Sequence, residues 1–191
     1  MKRHGKLALF VFLSGVTFGS GIGMAVTEWR QMKQEAFVAS AVMAASLELE
    51  QTQGAESLKR FFLKTNPALD PETALYMAYA VQEAADRYKL PESILAGLIH
   101  TESRAKPKAT NKGCLGLTQV NWPVWKNDLI LNHPEIFTRE DLFEPRRSIL
   151  AGVWILRGYL DRYGNLSRAL EAYSGGAKWY PAKVLNVAEG L

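Results

Sequence analysis

Residues 7–26, LALFVFLSGVTFGSGIGMAV, contain no charged side chain; Lys2, Arg3 and Lys6 precede them and Glu28, Trp29 and Arg30 follow. Twenty residues of helix rise about 30 Å, the thickness of a bilayer core. A run with no polar face is a poor water-exposed helix. Cations followed by an apolar run fit an uncleaved membrane anchor or a cleavable signal peptide. The length of the run and the interfacial position of Trp29 favour the anchor, whereas the small residues at 21–25 suit cleavage. In both cases the three cations stay on the cytoplasmic side and the remainder is exported.

From residue 28 the apolar spacing becomes helical. Phe37, Val38, Ala41, Val42, Ala45 and Leu49 recur every three or four residues and predict one stripe on a helix over 28–64, interrupted near Gly54. Asp70-Pro71-Glu72 is a helix start, with a capping carboxylate, proline in the first turn and an acid behind it. The helix it opens runs to about Lys89, with Ala74, Met77, Ala78, Val81 and Ala85 on one side. Leu90-Pro91-Glu92 restarts a second helix that ends close to Glu102 and Ser103, and 104–115 reads as loop. Residues 116–120 lead into a short helical piece broken by Pro123, and 126–147 read as irregular. Ile149, Val153, Leu156 and Leu160 predict a helix over 148–163 closed by Gly164; another over 166–173 ends at Gly175-Gly176, and 179–190 is helical again. Few stretches alternate with a period of two, so the expected class is all-α, or mainly α. Three parts result: a signal or anchor segment at 1–27, a helical extension or stalk at 28–69, and a domain at 70–191.

Charge first suggests the wrong partner. The net charge of +4 and pI near 9.2 raise the question of nucleic acid. Three of those cations lie in 1–27, however, and 28–191 carry 20 basic against 19 acidic residues. Within 91–191 the balance is 13 against 10, or +3. A nucleic-acid partner is not expected on so weak a basic excess. A single cysteine, Cys114, excludes an internal disulfide, and the scattered histidines suggest no metal site; no cofactor is implied. Arg104, Lys106, Lys108 and Lys112 form one local cluster of cations, read either as a solvated loop or as an attraction for substrate carboxylates.

Candidate chemistry centres on Glu102. At the end of an apolar helix, after Leu95, Leu98 and Ile99, its ionised form is disfavoured, which suits a general acid working near neutral pH. The following loop ends in Gly116-Leu117-Thr118-Gln119 and can return Gln119 over the carboxylate. Much later, Tyr173 closes a helix before a glycine turn.

These residues also carry a resemblance. Glu102-Ser103 at a helix end, Gly113-Cys114-Leu115-Gly116-Leu117-Thr118-Gln119 with Pro123, Leu142-Phe143-Glu144-Pro145 before the helix starting Ser148-Ile149, and Ala169-Leu170-Glu171-Ala172-Tyr173-Ser174-Gly175-Gly176 stand in one order over about 90 residues. In that order they are similar to the catalytic domain of the soluble lytic transglycosylases, a lysozyme-like fold that cleaves peptidoglycan. The resemblance implies glycan strands as substrate and Glu102 as the one catalytic acid. Glu102 would protonate the oxygen between N-acetylmuramic acid and N-acetylglucosamine, assisted by the substrate's N-acetyl group. It would then accept the proton of the muramic 6-hydroxyl as that oxygen closes on C1, giving a 1,6-anhydro end. Gln119 would bond an N-acetyl group or position Glu102, Tyr173 would orient the acid or the sugar, and Ser103 would fix the helix end or bond Glu102 or a sugar. Thr118, where the family has Met, and Ser174, where it has Asn, imply altered sugar contacts, with a smaller and more polar groove wall at 118. Thr110 and Asn111 stand where the family carries a polar loop residue.

Two other functions fit the residues. A lysozyme-type hydrolase needs a second carboxylate, for which Asp128, Glu135, Glu140, Asp141 and Glu144 are the candidates, although Glu144 suits a helix cap. A non-catalytic glycan-binding subunit of an envelope-spanning secretion, conjugation or phage system is the third reading. Trp122 and Trp125 suit either a sugar platform or core packing.

Overall fold

In the computed structural model, residues 21–191 are described, with side chains from residue 26. The expected anchor therefore lies largely outside the described residues; among those described, no helix is long and apolar enough to cross a membrane. The fold is mainly helical: α1 (Gly21–Thr65), α2 (Pro71–Tyr88), α3 (Glu92–Ser103), α4 (Trp122–Asn132), α5 (Pro145–Tyr163), α6 (Leu166–Tyr173) and α7 (Tyr180–Ala188). Between α3 and α4 lie three two-residue strands, β1 (Thr110–Asn111), β2 (Cys114–Leu115) and β3 (Val120–Asn121), and a 3-10 turn at Arg139–Phe143 precedes α5.

The chain divides into two compact units, Met1–Glu48 and Leu49–Leu191. In the first, the apolar stripe expected on this helix is exposed, with Phe37 at 73% and Val42 at 63%. Burial along α1 begins only at Ala55, Leu58 and Phe62, inside the second unit. The interruption expected at Gly54 does not occur. Gln82 of α2 donates to the Gln51 carbonyl at 2.9 Å, and a Cβ at Gly54 would stand 2.9 Å from the same amide nitrogen. Close docking on α2 outweighs the roughly 1 kcal/mol that a glycine costs a helix interior. The boundary expected at residue 70 thus falls within this unit.

Local capping rules hold well elsewhere. The Asp70 carboxylate accepts from Thr73 N at 2.8 Å at the start of α2. Glu144 caps α5, accepting from the backbone N–H groups of Arg146 and Arg147 at 3.0 and 2.8 Å. With Pro145 in the first turn, α5 starts earlier than expected. Pro123 likewise opens α4 and does not break it, because the first turn needs no N–H there.

Helix α5 is the central element. Ile149, Leu150, Val153 and Leu156 join the core built with α2, α3, α6 and α7, while Ala151 and Ile155 join a second cluster with Leu115, Val120, Leu129, Ile136 and Leu142. That second cluster holds the small antiparallel sheet, ordered β1-β2-β3 with Asn111 opposite Cys114 and Cys114 opposite Asn121. Strands of two residues are too short to show an alternating pattern, which is why the sequence suggests only loop here.

Candidate active site

Helix α3 delivers Glu102 in its last turn. The helix is ended by Arg104 and Ala105, both left-handed (φ 54°), with the Arg104 N–H donating to the His100 carbonyl at 3.1 Å. The Asn66 side chain donates to the Ala105 carbonyl at 3.0 Å and ties this end to the segment after α1. Across α3 lies α7, and the two backbones nearly touch: a Cβ on Gly97 would stand 2.6 Å from the Val184 carbonyl. One turn before Val184, Tyr180 reaches the end of α3, and its hydroxyl donates to Glu102 Oε1.

Burial dominates the electrostatics of this pair. It pushes the Glu102 carboxyl up to about 6, against the opposing pull of the Tyr180 hydrogen bond and the Lys183 ammonium. Burial together with the neighbouring Glu102 holds the Tyr180 phenol protonated, well above the ordinary phenol range. Tyr180 is therefore a donor, and Glu102 is a carboxyl that exchanges its proton near neutral pH.

Glu102 opens into a cleft of about 520 Å³. Asn111, Cys114 and Gln119 come from the sheet region, Trp125 from α4, Tyr159 from α5, and Ser174 and Trp179 from the segment between α6 and α7. Among the described residues lining it, Glu102 is the sole carboxylate, and no lysine or arginine joins it. Beneath the cleft is a buried polar layer. Thr118 Oγ1 donates to the Ser148 carbonyl at 2.7 Å, and the Thr118 carbonyl accepts from the Tyr173 hydroxyl at 2.8 Å. Gly152 of α5 leaves room for this layer, since a Cβ there would stand 2.4 Å from Thr118 and 2.8 Å from the Tyr173 hydroxyl. No group of three or more His, Cys, Asp or Glu among the described residues is arranged to hold a metal ion.

Comparison with known proteins places this geometry. The family described as the transglycosylase SLT domain matches residues 79–186, which span every wall of the cleft. The chain belongs to the transglycosylase SLT domain family. A protein of Enterobacteria phage PRD1 described as "Transglycosylase" is 33% identical over 123 residues, covering 59% of this chain and 43% of that protein. The chain thus spans less than half the length of that relative. No solved structure matches it.

Within the SLT domain, the residues singled out from sequence part company. Glu102, Gln119, Tyr173 and Ser174 all line the cleft. Gln119 does not bond Glu102: held left-handed at φ 48°, it donates to the carbonyls of Ala109 and Gly116 at 3.0 and 2.9 Å and pins the loop that carries β1. Tyr173 bonds the Thr118 backbone and not Glu102. The Ser174 hydroxyl donates to the Glu171 carbonyl and accepts from Ala177 N, shaping the turn after α6. Thr118 and Ser103 do not line the cleft. Thr118 is fully buried, so it forms no groove wall; its hydroxyl turns inward because Ser148 offers it an acceptor. Ser103 is buried and donates back to Ile99 O at 3.1 Å, and it bonds neither Glu102 nor the cleft.

Asn111 lines the cleft and Thr110 does not. None of Asp128, Glu135, Glu140, Asp141 and Glu144 reaches it, and neither do Arg104, Lys106, Lys108 or Lys112. The cation that acts on Glu102 is Lys183. Trp125 lines the cleft, whereas Trp122 packs against the smaller core cluster. Sequence reading missed Tyr180 and Trp179. Their signal was weak: an aromatic pair beside Pro181, at the start of a helix whose docking onto α3 only the fold reveals.

Proposed function

We propose that this SLT-domain protein is a peptidoglycan lytic transglycosylase with a lysozyme-like catalytic fold, in which Glu102 acts first as acid and then as base. One observation carries the reading: a half-buried carboxyl, raised to about 6, stands in the cleft, and among the described residues no second carboxylate lines it. A two-carboxylate hydrolytic scheme lacks its partner group. A lone acid suffices when the substrate supplies the nucleophile. Protonated Glu102 donates to the glycosidic oxygen as the C1–O bond breaks, and the N-acetyl carbonyl of the muramic residue stabilises C1. The carboxylate left behind accepts the proton of the 6-hydroxyl as O6 bonds to C1. The product is a 1,6-anhydromuramyl end, no water is consumed, and Glu102 is again protonated. Tyr180, locked as a donor, holds Glu102 in place and stabilises its carboxylate between the two steps.

The place of action follows from the substrate. The protein works on the wall of the bacterial envelope, with residues 7–26 tethering it to the inner membrane or directing it to the periplasm. A small wall-cleaving enzyme of this kind would open the wall locally for an envelope-spanning secretion or conjugation machine. Product analysis of digested sacculi by mass spectrometry tests the chemistry. Anhydro ends are expected from the wild-type protein and no released fragments from Glu102→Gln; reducing ends would overturn the transglycosylase assignment, and equal cleavage by Glu102→Gln would overturn the role of Glu102.

A further inference from the structure

Gly158 lies in the interior of α5, where glycine costs about 1 kcal/mol relative to alanine. Nothing stands within 4 Å of the Cβ it lacks. Gly152, six residues earlier, has its reason in Thr118 and Tyr173; at 158 neither close packing nor a left-handed backbone requires glycine. What the missing side chain leaves open is a second depression, of about 410 Å³, between α4 and α5. Trp125, Ile155 and Tyr159 line both this depression and the Glu102 cleft, so the two are neighbours that share these side chains.

The chemistry of the second depression is specific. Trp125 meets Trp154 and Tyr159 edge-on, with ring centroids 6.0 and 6.1 Å apart, which fixes an aromatic wall. Around it stand the paired Arg157 and Asp161, with Asp128 and Arg162. Two cations and two anions give no net charge, so an anionic ligand gains nothing here over a neutral one. An apolar ring face edged by hydrogen-bonding groups of both kinds matches a neutral pyranose, whose flat C–H face and equatorial hydroxyls need both. We infer that this depression is a distal sugar subsite, which holds a ring of the bound strand beyond those at Glu102. It rests on the proposal above that the cleft binds glycan.

Binding, not turnover, tests it. In the full chain carrying Glu102→Gln, calorimetry with β-1,4-linked N-acetylglucosamine trimer and hexamer should show the hexamer binding about tenfold tighter. Adding Gly158→Trp, which fills the depression, should bring the hexamer close to the trimer while the trimer's own affinity stays as it was. Arg162→Ala, which leaves the backbone untouched, should weaken the hexamer about threefold and the trimer not at all. A hexamer affinity unmoved by Gly158→Trp overturns the inference, as does equal weakening of both oligomers. If only peptide-bearing fragments respond to residue 158, the site takes stem peptide and the sugar assignment falls. If neither oligomer binds, the glycan reading of the cleft fails first and takes the subsite with it.

Discussion

In the proposed mechanism, Glu102 combines two demands that conflict in one side chain. As an acid it must hold its proton near neutral pH, and burial supplies that; as a base it must tolerate charge, and Tyr180 and Lys183 supply that. With the carboxyl at about 6, kcat/KM on glycan should fall about tenfold per pH unit above that point, as the acid form is lost. Tyr180→Phe removes a donor to the carboxylate, so the acid form persists longer. The alkaline limb of the pH–rate profile should move to higher pH, and an unmoved limb would remove Tyr180 from this role. Stability follows the same group with a definite sign. A carboxyl raised in the fold from its ordinary 4.5 to about 6 stabilises the fold fully below 4.5, and that contribution disappears as pH rises through 6. The difference is about 2 kcal/mol. Glu102→Gln should therefore raise Tm by several degrees at pH 8 and leave it unchanged at pH 4, measured by thermal melts across pH. The raised pKa was legible in the sequence, because Leu95, Leu98 and Ile99 precede Glu102 on an apolar helix end. Its hydrogen-bond donor was not, since Tyr180 lies 78 residues away and no local pattern links the two.

Among the elements, the crossing of α3 and α7 decides whether the site assembles. Gly97 lets the helices approach until backbone meets backbone at Val184, and this closeness brings Tyr180 to Glu102. Gly97→Ala would force the helices apart. It should cost about 1–3 kcal/mol, as overpacked cores do, and it should shift the pH–rate profile in the direction of Tyr180→Phe. A loss of Tm with an unchanged profile would mean that Tyr180 finds Glu102 without this packing. Helix starts and stops were legible where a cap is a local bargain between neighbours: Asp70 with Thr73, Glu144 with Arg146 and Arg147, and Gly164 at the end of α5. They misled where tertiary packing overrode local preference. Gly54 is carried through α1 by docking on Gln82, and Pro123 begins a helix that sequence order suggested it would break.

For the whole molecule, the compact unit starts at Leu49 and needs the end of α1. Phe62 is fully buried, with Ala55 and Leu58 beside it; deleting one such aromatic side chain costs about 3–5 kcal/mol. Removing residues 1–48 should leave Tm nearly unchanged by circular dichroism, whereas removing 1–69 should unfold the protein or lower Tm sharply. Equal melting of both truncations would show that α1 adds nothing to the core. The sequence by itself determined the helical class, most helix boundaries, the order of the family's motif blocks and the place of Glu102 at the end of an apolar helix, because periodicity, caps and short motifs act over a few residues. Only the tertiary structure decided which polar groups meet. It turned Thr118 and Ser103 inward, kept five candidate carboxylates and four loop cations out of the cleft, and set Tyr180 on Glu102. Burial and hydrogen-bond partners depend on contacts between distant segments, and those exist only once the helices have packed.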